Sequence, residues 1–274
     1  MTRTKRRTRR ALQVAGTGVA ALLALSACSS DDSGDASAKP DSSAPASPKL
    51  SGTVTVFAAA SLKESFTTLG KEFEKAHAGT KVTFNFGGSD TLAASITGGA
   101  PADVFASASP KTMAIVTDAK DNATEPVTFV RNRLEIATLP GNPDKVSSLK
   151  DLTRSGLKVV LCDKTVPCGA AAQKALEAGS LKLTPVSYEQ DVKAALTKVE
   201  LKEADAAVVY KTDVHAAGDK VEGVEFPESA DAVNDYPIAL LKDAPNAEAA
   251  KAFIALVRSA EGRKVLSDAG FLKP

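Results

Sequence analysis

Aromatic residues make up only 5% of the chain, and its formal charge balances to +1. A nucleic-acid surface needs a basic excess interleaved with stacking rings, so that class of partner is excluded. Histidine is scarce too: His77 and His215 lie far apart, neither has a second ligand at metal spacing, and both read as surface residues. The signatures of exported hydrolases are incomplete. There is no Gly-x-Ser-x-Gly elbow, and the Ser-x-x-Lys spacing within Ser147-Ser148-Leu149-Lys150 lacks both Ser-Asp-Asn and Lys-Thr-Gly. Residues 147–152 read better as a polar loop entering a short helix, which leaves a serine hydrolase as a distant alternative. No repeat of fixed period is present.

Long apolar runs are also missing. The longest, 11–25, falls short of the roughly 20 residues that a bilayer span needs. It follows ten residues carrying six Lys or Arg and no acid, and it stops at Leu25-Ser26-Ala27-Cys28, so residues 1–28 read as a signal peptide. A small residue before a lone cysteine resembles the bacterial lipobox, which makes Cys28 the expected lipidation site; ordinary cleavage near Ala27 is the alternative. Arg9-Arg10 also permits twin-arginine export. Residues 29–49 hold almost nothing but Ser, Asp, Ala, Pro, Gly and Lys, and cannot bury enough surface to offset their ordering entropy. They are expected to be a disordered tether holding a folded body off the outer face of the cell membrane.

Two further cysteines, Cys162 and Cys168, sit close together in an exported chain and are expected to form a disulfide, with free thiols or a metal pair as the alternatives. Their spacing is not the Cys-x-x-Cys of redox enzymes.

The body, from about residue 50 to 274, alternates strand and helix patterns. Residues 54–57 read as a strand. Leu62, Phe66, Leu69, Phe73 and Ala76 then mark one face of a helix that Ser61 opens. Residues 81–86 read as a strand, 91–97 as a helix stopped by Gly98-Gly99, and 102–106 as a strand, which implies parallel pairing through short crossovers. A second set begins near Phe129: strands over 133–139, 157–161 and 206–210, with helices over 170–178 and 192–199. A strand over 236–241 and helices over 247–258 and 262–269 close the chain. The fold class is α/β, with two lobes and a ligand cleft where the carboxyl ends of their strands meet.

Four places put a helix start at such a strand end: Ser61, the Gly87-Gly88-Ser89-Asp90 turn, Val166-Pro167-Cys168-Gly169, and the stretch before Val192. Helix starts present unpaired N–H groups and positive partial charge, so the pattern suits a small oxyanion. Ser61 with Glu64, and Ser187 with Gln190, also fit ordinary capping boxes, Ser89 fits an N-cap, and Tyr210 fits a core tyrosine.

Several segments together resemble the molybdate-binding proteins of bacterial ABC uptake systems: Phe57-Ala58-Ala59-Ala60-Ser61-Leu62, Ser89-Asp90-Thr91-Leu92, Gly99-Ala100-Pro101-Ala102-Asp103-Val104-Phe105, Asn132-Arg133-Leu134, Val166-Pro167-Cys168-Gly169, Asp191-Val192, Ala204-Asp205-Ala206 with Val208-Val209-Tyr210, and Tyr236-Pro237-Ile238. The resemblance implies a two-lobed periplasmic-binding-protein (type II) fold, each lobe a mostly parallel sheet flanked by helices. Lobe one would hold 50–130 and 236–274, and lobe two 131–235. It further implies a monomeric, non-enzymatic receptor without cofactor that captures molybdate, and tungstate of nearly equal size, for an ABC permease. Sulfate or another oxyanion is the alternative ligand. Carried over by motif, the anion contacts fall on the hydroxyls of Ser61, Ser89 and Tyr210 and the backbone amides of Cys168 and Val192, holding the metal as an oxyanion without direct ligation. Cys168 stands where the family often has alanine, which leaves an amide contact intact.

Overall fold

The computed structural model describes residues 49–274; the expected signal peptide, the expected lipidation site Cys28 and nearly all of the expected tether lie outside the described residues. The first lobe is built on β1 (Gly52–Ala59), β2 (Thr80–Gly87), β3 (Val104–Ala106) and β4 (Val127–Asn132), joined by α1 (Lys63–Ala76), α2 (Ser89–Thr97) and α3 (Pro110–Asp118). The chain then enters the second lobe as β5 (Leu134–Thr138) and continues through β6 (Val159–Cys162), α4 (Pro167–Ala178), β7 (Ser187–Glu189), α5 (Val192–Glu200), β8 (Ala206–Tyr210), α6 (Lys211–Ala217) and β9 (Glu222–Val224). It returns as β10 (Asn234–Leu240) and ends with α7 (Ala247–Arg258) and α8 (Ala260–Asp268).

The two sheets share one plan. Strand order is β2-β1-β3-β10-β4 in the first and β7-β6-β8-β5-β9 in the second. The first three strands of each pair in parallel, and the fourth runs antiparallel to both its neighbours. In both sheets that reversed strand is the one arriving from the other lobe. The crossings, at Arg133 and at 225–233, therefore lie beside each other, with Asn132 at the end of β4 paired in register with Asn234 at the start of β10.

Side-chain alternation along β1 divides the first lobe's core. Val54, Val56 and Ala58 face Phe66, Leu69 and Phe73 of α1 and Phe253 of α7, while Phe57 faces Leu92 of α2 and Met113 of α3. Phe66 meets Phe253 edge-on at 5.9 Å between ring centres and has no solvent exposure. Each such fully buried side chain contributes about 1.5–3 kcal/mol, which locks the helices to the sheet and so fixes where their first turns point. The second lobe packs Leu134, Ile136, Val159 and Leu161 against Ala171 and Ala175 of α4 and Leu196 of α5.

Some local expectations change. Ser61 does not open the long helix: it lies in a short 3-10 turn, Ala60–Leu62, and α1 begins at Lys63. Phe129 belongs to β4, the last strand of the first sheet before the crossing. Strands β7 and β9 and helices α3 and α6 join the elements read from the sequence. The Cys162–Cys168 disulfide is formed, with 5.8 Å between Cα atoms.

Candidate functional site

Every parallel strand of both sheets that bears on the cleft ends in a residue of one cavity. From the first lobe, β1 leads to Ala60 and Ser61, and β2 leads to Gly88 and Ser89; from the second, β6 leads to Pro167 and Cys168, β7 to Val192, and β8 ends at Tyr210. The cavity leaves about 20 Å³ for the centre of a water-sized molecule, room for about one such molecule, so this space suits a small ion better than a sugar or a peptide. All five residues singled out from the sequence, Ser61, Ser89, Cys168, Val192 and Tyr210, line it.

Each helix start arrives with donors to spare. In α5, Asp191 is the N-cap: its Oδ1 accepts the Lys193 and Ala194 amides and its carbonyl accepts that of Ala195. The Val192 amide is the first-turn donor left over. Ser187 forms no capping box there; it lies in β7 and its hydroxyl donates to Glu189. In α4 the N-cap is Val166, whose side chain cannot cap, and Pro167 occupies the first position, so Cys168 supplies the first N–H of the helix. The disulfide ties that residue to the end of β6. Gly169 permits the close approach: a Cβ there would overlap the Asp163 carbonyl oxygen. In α2 the cap is Gly88, again without a side-chain bond, so Ser89 is not the cap.

The three hydroxyls are occupied by other partners than their own helices. Ser89 Oγ accepts the Ala108 amide at 3.0 Å. Ser61 Oγ lies 2.8 Å from the Tyr236 hydroxyl, and no side-chain cap joins it to α1. Tyr210 Oη accepts from Asn234 Nδ2 at 2.7 Å. Burial pushes the Tyr210 phenol well above its usual pKa, so it remains a proton donor throughout the ordinary pH range.

No lysine or arginine lines the cavity among the described residues; its one charged lining residue is Asp191, whose carboxylate is taken up by amides. Lys193, the residue after Val192, is held elsewhere. Its Nζ lies 3.0 Å from Glu64 Oε1 on α1 and 3.1 Å from Asp213 Oδ1 on α6. Burial alone would lower its pKa, but those carboxylates hold it above the usual lysine range. The site is an array of neutral donors: it can bind a group that only accepts.

Other polar residues outside the cavity have structural partners or face solvent. Asp103 accepts the Thr55 amide through Oδ2 and the Asn246 amide through Oδ1, tying α7 to the sheet. Ser147 and Ser148 both donate to Asp151 Oδ2, and with the Ser147 backbone N–H as the largest cause they hold Asp151 at a pKa of about 2. That carboxylate occupies both hydroxyls of the Ser-x-x-Lys stretch. His215 is exposed, and His77 packs at a tilt against Phe73 with 4.5 Å between ring centres. Sequence reading missed Lys193, Asn132, Asn234 and the supporting role of Tyr236. Asn132 and Tyr236 stand inside segments already singled out, while Lys193 carried no local signal beyond following Asp191-Val192.

Over residues 54–272 the chain matches the family model described as bacterial extracellular solute-binding protein. The molybdate-binding protein ModA of Mycobacterium tuberculosis is 44% identical over 233 residues, covering 85% of this chain and 89% of the relative. A solved structure described as the substrate binding domain of a putative molybdenum ABC transporter from Clostridium difficile aligns at 31% identity with a TM-score of 0.62, covering 82% of this chain and all of that one. The periplasmic molybdate-binding protein of Azotobacter vinelandii, 20% identical, shares the fold at a TM-score of 0.71 over 81% of this chain and 99% of its own.

Proposed function

This chain belongs to the bacterial extracellular solute-binding proteins, and from that membership we propose that it captures molybdate between its lobes for delivery to an ABC permease. The observation that carries the reading is the convergence of five neutral donors from both lobes on one small cavity without a cation. A tetrahedral dianion offers acceptors on every side, so hydroxyls and amides can all be satisfied at once. Preorganised dipoles at helix starts spread positive charge without a long flexible side chain. Hydrogen bonds to a charged acceptor contribute about 1.5–3 kcal/mol each, and five of them support tight binding after the expense of closure.

The same array selects. A partly protonated anion such as hydrogen phosphate would set a donor against a donor and forfeit an interaction. Sulfate has the right charge but shorter bonds, and tungstate nearly the same size as molybdate, so tungstate is the second ligand proposed. The two lobes close about the paired crossings, with contacts from both sides biasing the closed form. The protein works as a monomer, tethered outside the cell membrane through lipidated Cys28. Calorimetry with molybdate, tungstate, sulfate and phosphate on the soluble body tests the reading: heat from the first two at stoichiometry near one supports it, and heat from sulfate or phosphate alone overturns it.

A further inference from the structure

Asn132 and Asn234 face each other in register where the chain crosses between lobes; Asn234 sends its amide behind the Tyr210 hydroxyl of the cavity, and Asn132 behind Tyr236, which meets the cavity's Ser61. Obligate partners fix the orientation of both amides. Asn132 Oδ1 accepts the Arg133 backbone N–H at 3.0 Å, which only an oxygen can do, so its Nδ2 faces the Thr212 hydroxyl at 2.8 Å and the Tyr236 hydroxyl at 3.4 Å. Asn234 presents its nitrogen to the Pro167 carbonyl at 3.3 Å, which only accepts, and to the Tyr210 hydroxyl at 2.7 Å. All of these residues but Arg133 are buried.

An amide nitrogen donates and never accepts. Asn234 therefore engages a lone pair of Tyr210 and leaves its proton to face the cavity and the neighbouring Tyr236 hydroxyl. Asn132 does the same to Tyr236, whose proton is then free for Ser61 Oγ at 2.8 Å, and Ser61 in turn keeps its own proton for the cavity. Ser89 is treated alike by the Ala108 amide. We propose that Asn132 and Asn234 are positioning residues that set the direction of two of the site's hydroxyls, Asn234 that of Tyr210 and Asn132 that of Ser61 through Tyr236, so that each turns hydrogen toward the ligand. Accordingly part of the site's selectivity for a fully deprotonated anion originates at the hinge. This rests on the anion-binding reading above and adds residues that do not touch the ligand.

The test is a double-mutant cycle on molybdate affinity with Asn132→Asp and Tyr236→Phe. The ionised carboxylate introduced by the first substitution accepts where the amide donated, turns the Tyr236 proton away from Ser61, and leaves a Ser61 lone pair toward the anion. The expected loss at pH 7.5 is about ten- to a hundredfold in Kd. In the Tyr236→Phe background the relay is already cut, so the same substitution should change Kd by no more than about threefold, the remainder being charge repulsion through a protein interior. An equal fold loss in both backgrounds overturns the proposal, because a purely electrostatic or hinge-packing role does not pass through the Tyr236 hydroxyl. Should N132D not fold, Asn132→Ala in both backgrounds gives the same comparison with a smaller loss. Wild-type titration keeps the two readings apart: if molybdate gives no heat the function reading falls, and the cycle is run with sulfate or phosphate, whichever binds. If none of the three binds, both fall.

Discussion

Lys193 of α5 and Glu64 of α1 meet across the cleft at 3.0 Å, joining the second lobe to the first beside the cavity without entering it. Glu64 is about half exposed, so the pair is screened and contributes about 0.2–1 kcal/mol to closure. Glu64→Gln should raise the molybdate Kd up to about fivefold at low salt, with the difference vanishing at about 0.5 M salt, where the screening length is only a few ångströms. A salt-independent loss would mean that Glu64 acts through packing.

The same ammonium neutralises Asp213, which is fully buried. Burial raises that carboxyl from its ordinary 3.8 to a pKa of about 6, with Lys193 offsetting part of the rise. The folded state therefore binds a proton more tightly than the unfolded chain. This contribution to stability is fully present below about pH 4 and is lost as pH rises toward 6. The melting temperature of wild type, referenced to Asp213→Asn, should fall across that window and level off above it; a parallel pair of profiles would contradict the assignment.

Gly88 approaches the Gln190 carbonyl of the other lobe so closely that an added Cβ would stand 2.5 Å from that oxygen. Gly88→Ala should hold the lobes apart, weakening binding by about tenfold or more while leaving the ligand-free melting temperature within a few degrees. Gly169→Ala is the contrast: its obstruction lies within the second lobe, so it should lower stability itself. Equal effects of both on stability would remove Gly88 from the closing surface.

Tyr210→Phe deletes one hydroxyl and leaves Asn234 only the Pro167 carbonyl as acceptor. A loss of about 1–3 kcal/mol in molybdate binding is expected by calorimetry. Unchanged affinity would remove the tyrosine from the site.

The disulfide closes a short loop, so its removal should reduce stability by only about 2–3 kcal/mol. Because Cys168 lines the cavity and carries the first N–H of α4, Cys162→Ser with Cys168→Ser should cost affinity beyond what the lower stability explains. Denaturant unfolding and titration on the same sample separate the two effects.

Much of the fold is legible in the sequence, for physical reasons that differ by element. Helices α1 and α7 carry a wide apolar stripe that marks them almost to the residue. The stretch 110–118 has no such stripe, and its signal is the start alone: Ser109 Oγ accepts the Thr112 amide and Pro110 fills the first position. Strands β7 and β9, three residues each, have too little length to show a period. The cavity residues are legible because helix starts follow strands in a recognisable grammar. Asn234 is not: its role depends on pairing with Asn132, far earlier in the chain, and on a tyrosine in another sheet, and no local pattern encodes that. The direction of a hydroxyl proton likewise depends on what stands behind it.

The most direct test of the central claim, that neutral donors from two lobes hold a tetrahedral dianion, is a crystal structure of the protein grown with molybdate. Anion oxygens should lie at about 2.7–3.2 Å from Ser61 Oγ, Ser89 Oγ, Tyr210 Oη and the Cys168 and Val192 amides, with Lys193 still bound to Glu64 and Asp213. An anion seated against the Lys193 ammonium, or bound outside this cavity, would contradict it.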